Sequence, residues 1–386
     1  MPLDFKITHK SLKSKARRGI LTLPNGIIQT PVFMPIGTVG SIKGITMGEM
    51  EKLDAQIILG NTYHLWLKPG LKVLESAGGL HKFNTWKRPI LTDSGGFQAF
   101  SLSKIRKFKE EGVTFKVPSN GEKRFLSPEI SMEIQTTLGS DIALVLDECL
   151  PATATFNQAK NAMNRTRRWA ERSQIEFERL RLENYENTGI LHQNNLFGIP
   201  QGAQFPDLRE ISAKLTMELD FPGYSIGGVA NGGEPEEIMY SQVFAQTEIL
   251  ESSKPKHLLG VGTPKDIVQM VARGIDMFDC VYPTRNARHG TLFFQAGENS
   301  YQSIHIDTTR YSLDFSPINI NSRFPELRSY SKGYLCHLFK SGELLAYRLA
   351  TLQNLEFYME LMENIRTRIE AGTFDGWWES YSRIKQ

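Results

Sequence analysis

The chain has 386 residues, a formal net charge of +3 and 40% hydrophobic residues. This is ordinary soluble composition with enough apolar material for a large core, and so small a charge does not by itself argue for nucleic acid. No apolar run approaches the roughly 18 residues of a membrane span, the start "MPLDFKITHK" is no signal segment, and Cys149, Cys280 and Cys336 lie too far apart for a C-x-x-C motif, so a cytoplasmic protein away from membranes is expected.

Taken in chain order, "KSLKSKARRG" from Lys10 carries five positive charges and no acid, and "RRGILTLPNGIIQTPVF" places Asn25-Gly26 between two apolar runs, a hairpin turn signal. Eight short apolar runs follow, at 31–38, 56–64, 88–96, 141–149, 195–202, 223–230, 257–263 and 277–284. Helical patterns separate most of them, at 46–53, 127–139, about 157–184, 205–219, 234–250 and 263–275. Ser127-Pro128-Glu129 supplies an N-cap, a proline at the first helical position and an early acid. A second basic run, "SKIRKFK" at 103–109, leads into "GVTFKVPSNGEKRFLSP", a hairpin inserted after the third strand with Asn120-Gly121 at its tip.

Strands alternating with helices imply a parallel sheet, and eight of them suggest a closed (β/α)8 TIM barrel. A doubly wound sheet is disfavoured because no G-x-G-x-x-G follows a strand. The expected organisation is a barrel over 1–290 with an N-terminal hairpin across its floor, then an appended α+β subdomain over 291–386. That subdomain holds a hairpin at 291–306 and an amphipathic helix at 354–372 that packs back on the barrel.

Catalytic groups of a barrel come from the C-terminal ends of its strands. Those ends carry Asp93 on the third, Asp147 and Glu148 on the fourth, Gln201 on the fifth and Asp279 on the eighth, and the sixth and seventh end in Gly227-Gly228, Gly260 and Gly262. His64, His192, His257 and His289 are scattered and read as structural, so no metal cluster accompanies the acids. Paired carboxylates without a metal point to glycosyl chemistry, one acting as nucleophile and the other as acid/base. Asp279 also precedes a basic loop with Arg285 and Arg288, which suits a polyanion.

"LTDSGGFQAFSL", "DIALVLDEC", "GIPQG", "GYSIGGVANG", "HLLGVG" and "GIDMFDCVYPTRNARHG" resemble, in order, the motifs of the tRNA-guanine transglycosylases of bacterial type. The resemblance implies exchange of guanine 34, in the wobble position of the tRNA anticodon, for a 7-deazaguanine such as preQ1 or queuine. It implies Asp279 as the nucleophile that forms a covalent ribose adduct and Asp93 as general acid/base. Asp147, Gln201 and the backbone at Gly228 are implied to read the base, between Phe97 and Leu259. Arg285 and Arg288, and less directly Lys10 and Lys104, are implied tRNA contacts. A homodimer is implied as well, with Trp86, Tyr330, Tyr334 and His337 near the contact. Two competing readings are a barrel glycosidase acting on a small nucleoside and a non-catalytic tRNA-binding subunit; the basic loop opposes the first and the presence of both acids opposes the second.

The chain departs from the family pattern at the zinc site, at Phe97 and at Gly233. The family holds a structural zinc with Cys-x-Cys-x-x-Cys and a later His; the corresponding positions here are Ser322, Phe324, Leu327 and Gln353, none of which suits zinc. No metal cofactor is therefore expected, with apolar packing in its place. Bacterial members also have Tyr at the position of Phe97, and glutamate at that of Gly233 beside Asn231, which implies room for a bulkier incoming base such as queuine.

Overall fold

The computed structural model describes residues 3–102, 106–189, 191, 193–229 and 235–384. Each of the eight apolar runs contains a strand: Val32–Met34 continuing as Ile36–Gly37, then Ile58–Gly60, Ile90–Thr92, Ile142–Leu144, Asn195–Phe197, Tyr224–Ile226, Lys256–Leu258 and Met277–Asp279. The first is broken only at Pro35, which has no N–H to give a ladder, although its carbonyl still accepts from Leu59 N at 3.0 Å. Parallel pairing joins the first strand to the second, and so on to the fifth. The sixth to eighth pair likewise, and the eighth pairs with the first. A parallel bridge between Gly198 and Tyr224 joins the fifth to the sixth, which closes the barrel. These strands are buried on both faces, as the complete burial of Phe33, Leu91, Ile142, Phe197, Ile226, Leu258 and Phe278 shows.

The helices start where the sequence signals them. Ser127 accepts from Ile130 N ahead of helix Pro128–Leu138, and Gly139 ends it in a left-handed conformation. Thr155 and Gln158 form a capping box on Phe156–Thr188. The sequence reading omits Thr62–Leu67, Leu71–Ala77 and Leu80–Asn84, each too short to show a period. The residues read as a basic loop form helix Tyr282–Arg288, with Pro283 in its first turn. Helix Leu344–Glu370 begins ten residues earlier than expected, because it is buried on several faces and shows a blurred apolar stripe.

The N-terminal hairpin and the one inserted after the third strand each gain a third strand, Asp4–Lys10 beside Arg17–Leu23 and Arg106–Phe108 beside Val113–Lys116. The first sheet lies across the floor. Asn25 N and Nδ2 donate to Asp141 Oδ1 at 2.9 and 3.0 Å, and Leu3 N donates to Asn195 Oδ1 at 3.1 Å. Arg17 grips Asp276 through Nε at 2.8 Å and Nη2 at 2.6 Å. Asp141, Asn195 and Asp276 all stand at the N-terminal ends of barrel strands. At the other extreme of the chain, Leu344–Glu370 runs along the barrel. Tyr358 Oη donates to Gly262 O at 2.6 Å, Asn354 Nδ2 to Pro283 O at 2.9 Å and Arg366 Nη1 to Pro31 O at 2.9 Å.

The four positions where the family would bind zinc are close to one another but are held by two kinds of contact. Phe324 and Leu327 are buried in the core, as expected. Ser322 and Gln353 are not replaced by apolar packing, which corrects half of that expectation. Ser322 Oγ donates to the fully buried Glu356 carboxylate, which also takes Arg323 N at 2.7 Å. Gln353 accepts from Asn319 Nδ2 at 3.0 Å and donates to Phe293 O at 2.8 Å. Serine, phenylalanine, leucine and glutamine offer no thiolate or imidazole, so this donor set does not fit zinc. Trp86, expected near a subunit contact, is buried and donates its indole N–H to Pro89 O at 3.0 Å. Tyr330 and Tyr334 lie 5.2 Å apart, with Tyr334 exposed.

Candidate active site

Asp93 follows the third strand. Its Oδ1 accepts from Thr62 N at 2.9 Å, and its Oδ2 accepts from Gln98 Nε2 at 2.8 Å and from Asn61 Nδ2. Burial pushes this carboxyl up to about 6; those donors act against the rise, and the charge of Asp279 adds to it. Asp279, at the end of the eighth strand, is 6% exposed. Its Oδ1 accepts from His257 Nε2 at 2.8 Å and from Gly260 N at 3.2 Å. The two acids proposed from the sequence therefore stand at one mouth, close enough for one to perturb the other.

Asp147 lies beside them after the fourth strand, taking Gln201 Nε2 at 2.6 Å and Ser94 Oγ at 3.2 Å. Burial pushes it, too, up to about 6, and its hydrogen bonds only partly oppose this. Gly228 has a φ of +68°, and a Cβ there would stand 2.3 Å from Gln201 Oε1. Glycine is thus required both by conformation and by the close approach of the amide. Leu259 reaches the same wall, with Cδ1 3.4 Å from where a Cβ on Gly227 would lie. Phe97, on helix Gly96–Leu102, is 47% exposed, and a Cβ on its neighbour Gly96 would meet Asp147 O at 2.9 Å. A carboxylate, an amide and an apolar side chain are thus brought together, with an exposed aromatic on the neighbouring helix.

Other candidates go elsewhere. Glu148 pairs with Arg165 of the long helix rather than facing the mouth. Arg285 is exposed on helix Tyr282–Arg288, directly after Asp279, and Arg288 is half-buried with Nη1 on Thr284 O at 2.9 Å. Lys10 is exposed on the floor sheet, in a cleft with Arg17, Lys256 and Gly274, at the opposite end of the barrel from Asp93 and Asp279. Lys104, Asn231, Gly233 and His192 lie outside the described residues.

Sequence reasoning missed the partners. Asn61, Thr62 and Gln98 bind Asp93; the signal for Asn61 was its place just past the second strand. Arg209 is completely buried and donates from Nη1 to Gly227 O and from Nη2 to Gly228 O, both at 2.6 Å, and from Nε to Ala203 O at 2.8 Å. It fixes the turn at Gly227-Gly228. His257, read as structural, touches Asp279.

The sequence model of the queuine tRNA-ribosyltransferase family matches residues 11–386. This chain belongs to that family. It is 51% identical to the queuine tRNA-ribosyltransferase of Neisseria meningitidis serogroup A, across 97% of this chain and 96% of that protein. The protein of the same name from Desulforapulum autotrophicum is 46% identical across 100% of both. That from Polaromonas naphthalenivorans is 48% identical across 94% of this chain and 91% of its own length. Among the described residues no helix is long and apolar enough to cross a membrane.

Proposed function

We propose that this chain is a tRNA-guanine transglycosylase that replaces guanine 34 of tRNA with a 7-deazaguanine through a covalent aspartyl-ribose intermediate. Family membership supports the activity. The observation that supports the assignment of residues is the meeting of two carboxylates at one mouth, Asp279 and Asp93, the second raised to about 6. Asp279 attacks C1′ of the ribose as the C1′–N9 bond to guanine breaks, and the electron pair goes to N9. Asp93 delivers a proton to the leaving base. The incoming base returns a proton to Asp93 as its own N9 attacks C1′, and the Asp279 carboxylate departs. A carboxyl whose protonation balances near neutral pH suits a group that must give and then take a proton.

Asp147 and the Gln201 amide complement the polar edge of guanine, while Leu259 and Phe97 offer it apolar faces. Arg285, beside the nucleophile, supplies positive charge for the phosphates around the flipped nucleotide; Lys10, on the floor, is unsuited to that part. A homodimer anchored by Tyr330, Tyr334 and His337 is proposed without Trp86, and mass by light scattering at micromolar concentration checks it. The assignment is tested with Asp279→Asn and a G34 tRNA. Binding should persist while the denaturation-resistant adduct disappears, and an adduct formed by that variant would place the nucleophile elsewhere.

A further inference from the structure

His257 is fully buried inside the barrel. It pairs in register with Ser225 on the sixth strand and with Met277 on the eighth. Asp279, two residues beyond Met277, shares that residue's face of the strand. The result is a hydrogen-bonded row across three neighbouring strands: Ser225 Oγ to His257 Nδ1 at 3.0 Å, and His257 Nε2 to Asp279 Oδ1 at 2.8 Å. An ionised carboxylate only accepts, so Nε2 must carry the proton. Gly260 N donates to the same oxygen. Both donors fall on Oδ1, and no hydrogen bond from a described residue reaches Oδ2.

We propose that His257 is a positioning residue for the nucleophile, fixing Asp279 through Oδ1 so that Oδ2 is the attacking oxygen, and favouring the free carboxylate over the ribosyl ester. This rests on the assignment of Asp279 as nucleophile. When Oδ2 bonds to C1′, the carboxylate loses its charge, and Oδ1 becomes the ester carbonyl, a weaker acceptor. The bond from Nε2–H therefore stabilises the carboxylate more than the ester. It holds the adduct back from accumulating and assists carboxylate departure when the second base attacks. Ser225 holds the ring so that Nε2–H points at the acid.

The test measures the adduct equilibrium for the full-length enzyme with a G34 tRNA and a fixed guanine concentration, quantified on denaturing gels against noncovalently bound tRNA. His257→Leu should raise the ratio of adduct to noncovalent complex on the order of tenfold, the scale of losing one hydrogen bond to a charged group, while overall exchange slows. His257→Gln, which restores an N–H donor, should return the ratio to near the native value. A merely structural role would lower binding and adduct together. Should His257→Leu not fold, Ser225→Ala decides, with an expected rise of roughly threefold from the weakened row. An unchanged or lowered ratio in the folded variant overturns the proposal. Loss of all adduct in Asp279→Asn alongside an unchanged ratio in His257→Leu sinks this inference alone, whereas adduct in Asp279→Asn sinks the nucleophile assignment beneath it.

Discussion

Asp93→Asn should make the protein inactive and, near neutral pH, relatively more stable. The Asp93 carboxyl lies at about 6 in the fold, against an ordinary value of 3.8. A folded value raised above the unfolded one means that the fold favours the protonated form. The resulting stability is fully present below 3.8 and is lost as pH rises through about 6. Above that, ionising Asp93 in the fold costs about 3 kcal/mol relative to the unfolded chain. At about pH 5 the linkage returns about 1.4 kcal/mol of this to the native protein, and asparagine, which does not titrate, gains nothing. The melting temperature of the variant minus that of the native protein should therefore be greater at about pH 7.5 than at about pH 5. At roughly 0.8 kcal/mol per degree for a chain of this length, the difference is about 2 °C. Differences in hydrogen bonding to Asn61, Thr62 and Gln98 largely cancel in this comparison. Calorimetry at the two pH values checks it. A variant-to-native difference that is the same at both, or larger in acid, would refute the raised carboxyl and with it the reason for choosing Asp93 as proton carrier.

Arg209→Lys should raise KM for the incoming base and lower stability on the order of 3 kcal/mol, because one ammonium cannot replace a guanidinium on three buried carbonyls; denaturant melts and base-exchange kinetics check both. Purified protein should contain no stoichiometric zinc, and a chelator should leave activity intact; one tightly held zinc per chain by elemental analysis would contradict the donor set of Ser322, Phe324, Leu327 and Gln353. With glycine rather than glutamate at position 233, queuine should compete with preQ1 for one tRNA, and efficient use of preQ1 with exclusion of queuine would count against that expectation.

The barrel was legible because each strand is a short apolar run closed by a polar or glycine residue, and because caps such as Ser127-Pro128 mark where helices begin. That Asp93, Asp147, Gln201 and Asp279 meet at one mouth was legible for the same reason: a strand end is a position that sequence can give. What each side chain touches was not legible. Asn61 reaches Asp93 from the preceding strand end, Arg209 reaches Gly227 and Gly228 from a helix, and His257 reaches Asp279 from the adjacent strand. All these contacts depend on strand stagger and side-chain direction, which leave no periodic trace. The helix at Tyr282–Arg288 was obscured because Pro283 and two arginines read locally as a turn, whereas proline is well suited to a first helical turn.

The two ends of the barrel treat their acids in opposite ways. At the floor, Asp141 accepts from Asn25 N and Nδ2, from Ile90 N at 2.8 Å, and lies against His81 Nε2 at 3.1 Å. Asp276 takes the Arg17 guanidinium twice and Lys256 N at 2.8 Å. These carboxylates tie the N-terminal sheet to the strands beneath which it lies. At the mouth, Asp93 and Asp147 accept mainly from neutral amides, a backbone N–H and a hydroxyl, with none of the cations that serve the floor. Burial without a compensating positive charge raises their pKa values and costs stability. Substituting Arg17 should therefore destabilise the fold, while neutralising Asp93 should cost activity first. The apolar strands can be short and similar throughout because the chemistry differs only in what stands just beyond each end.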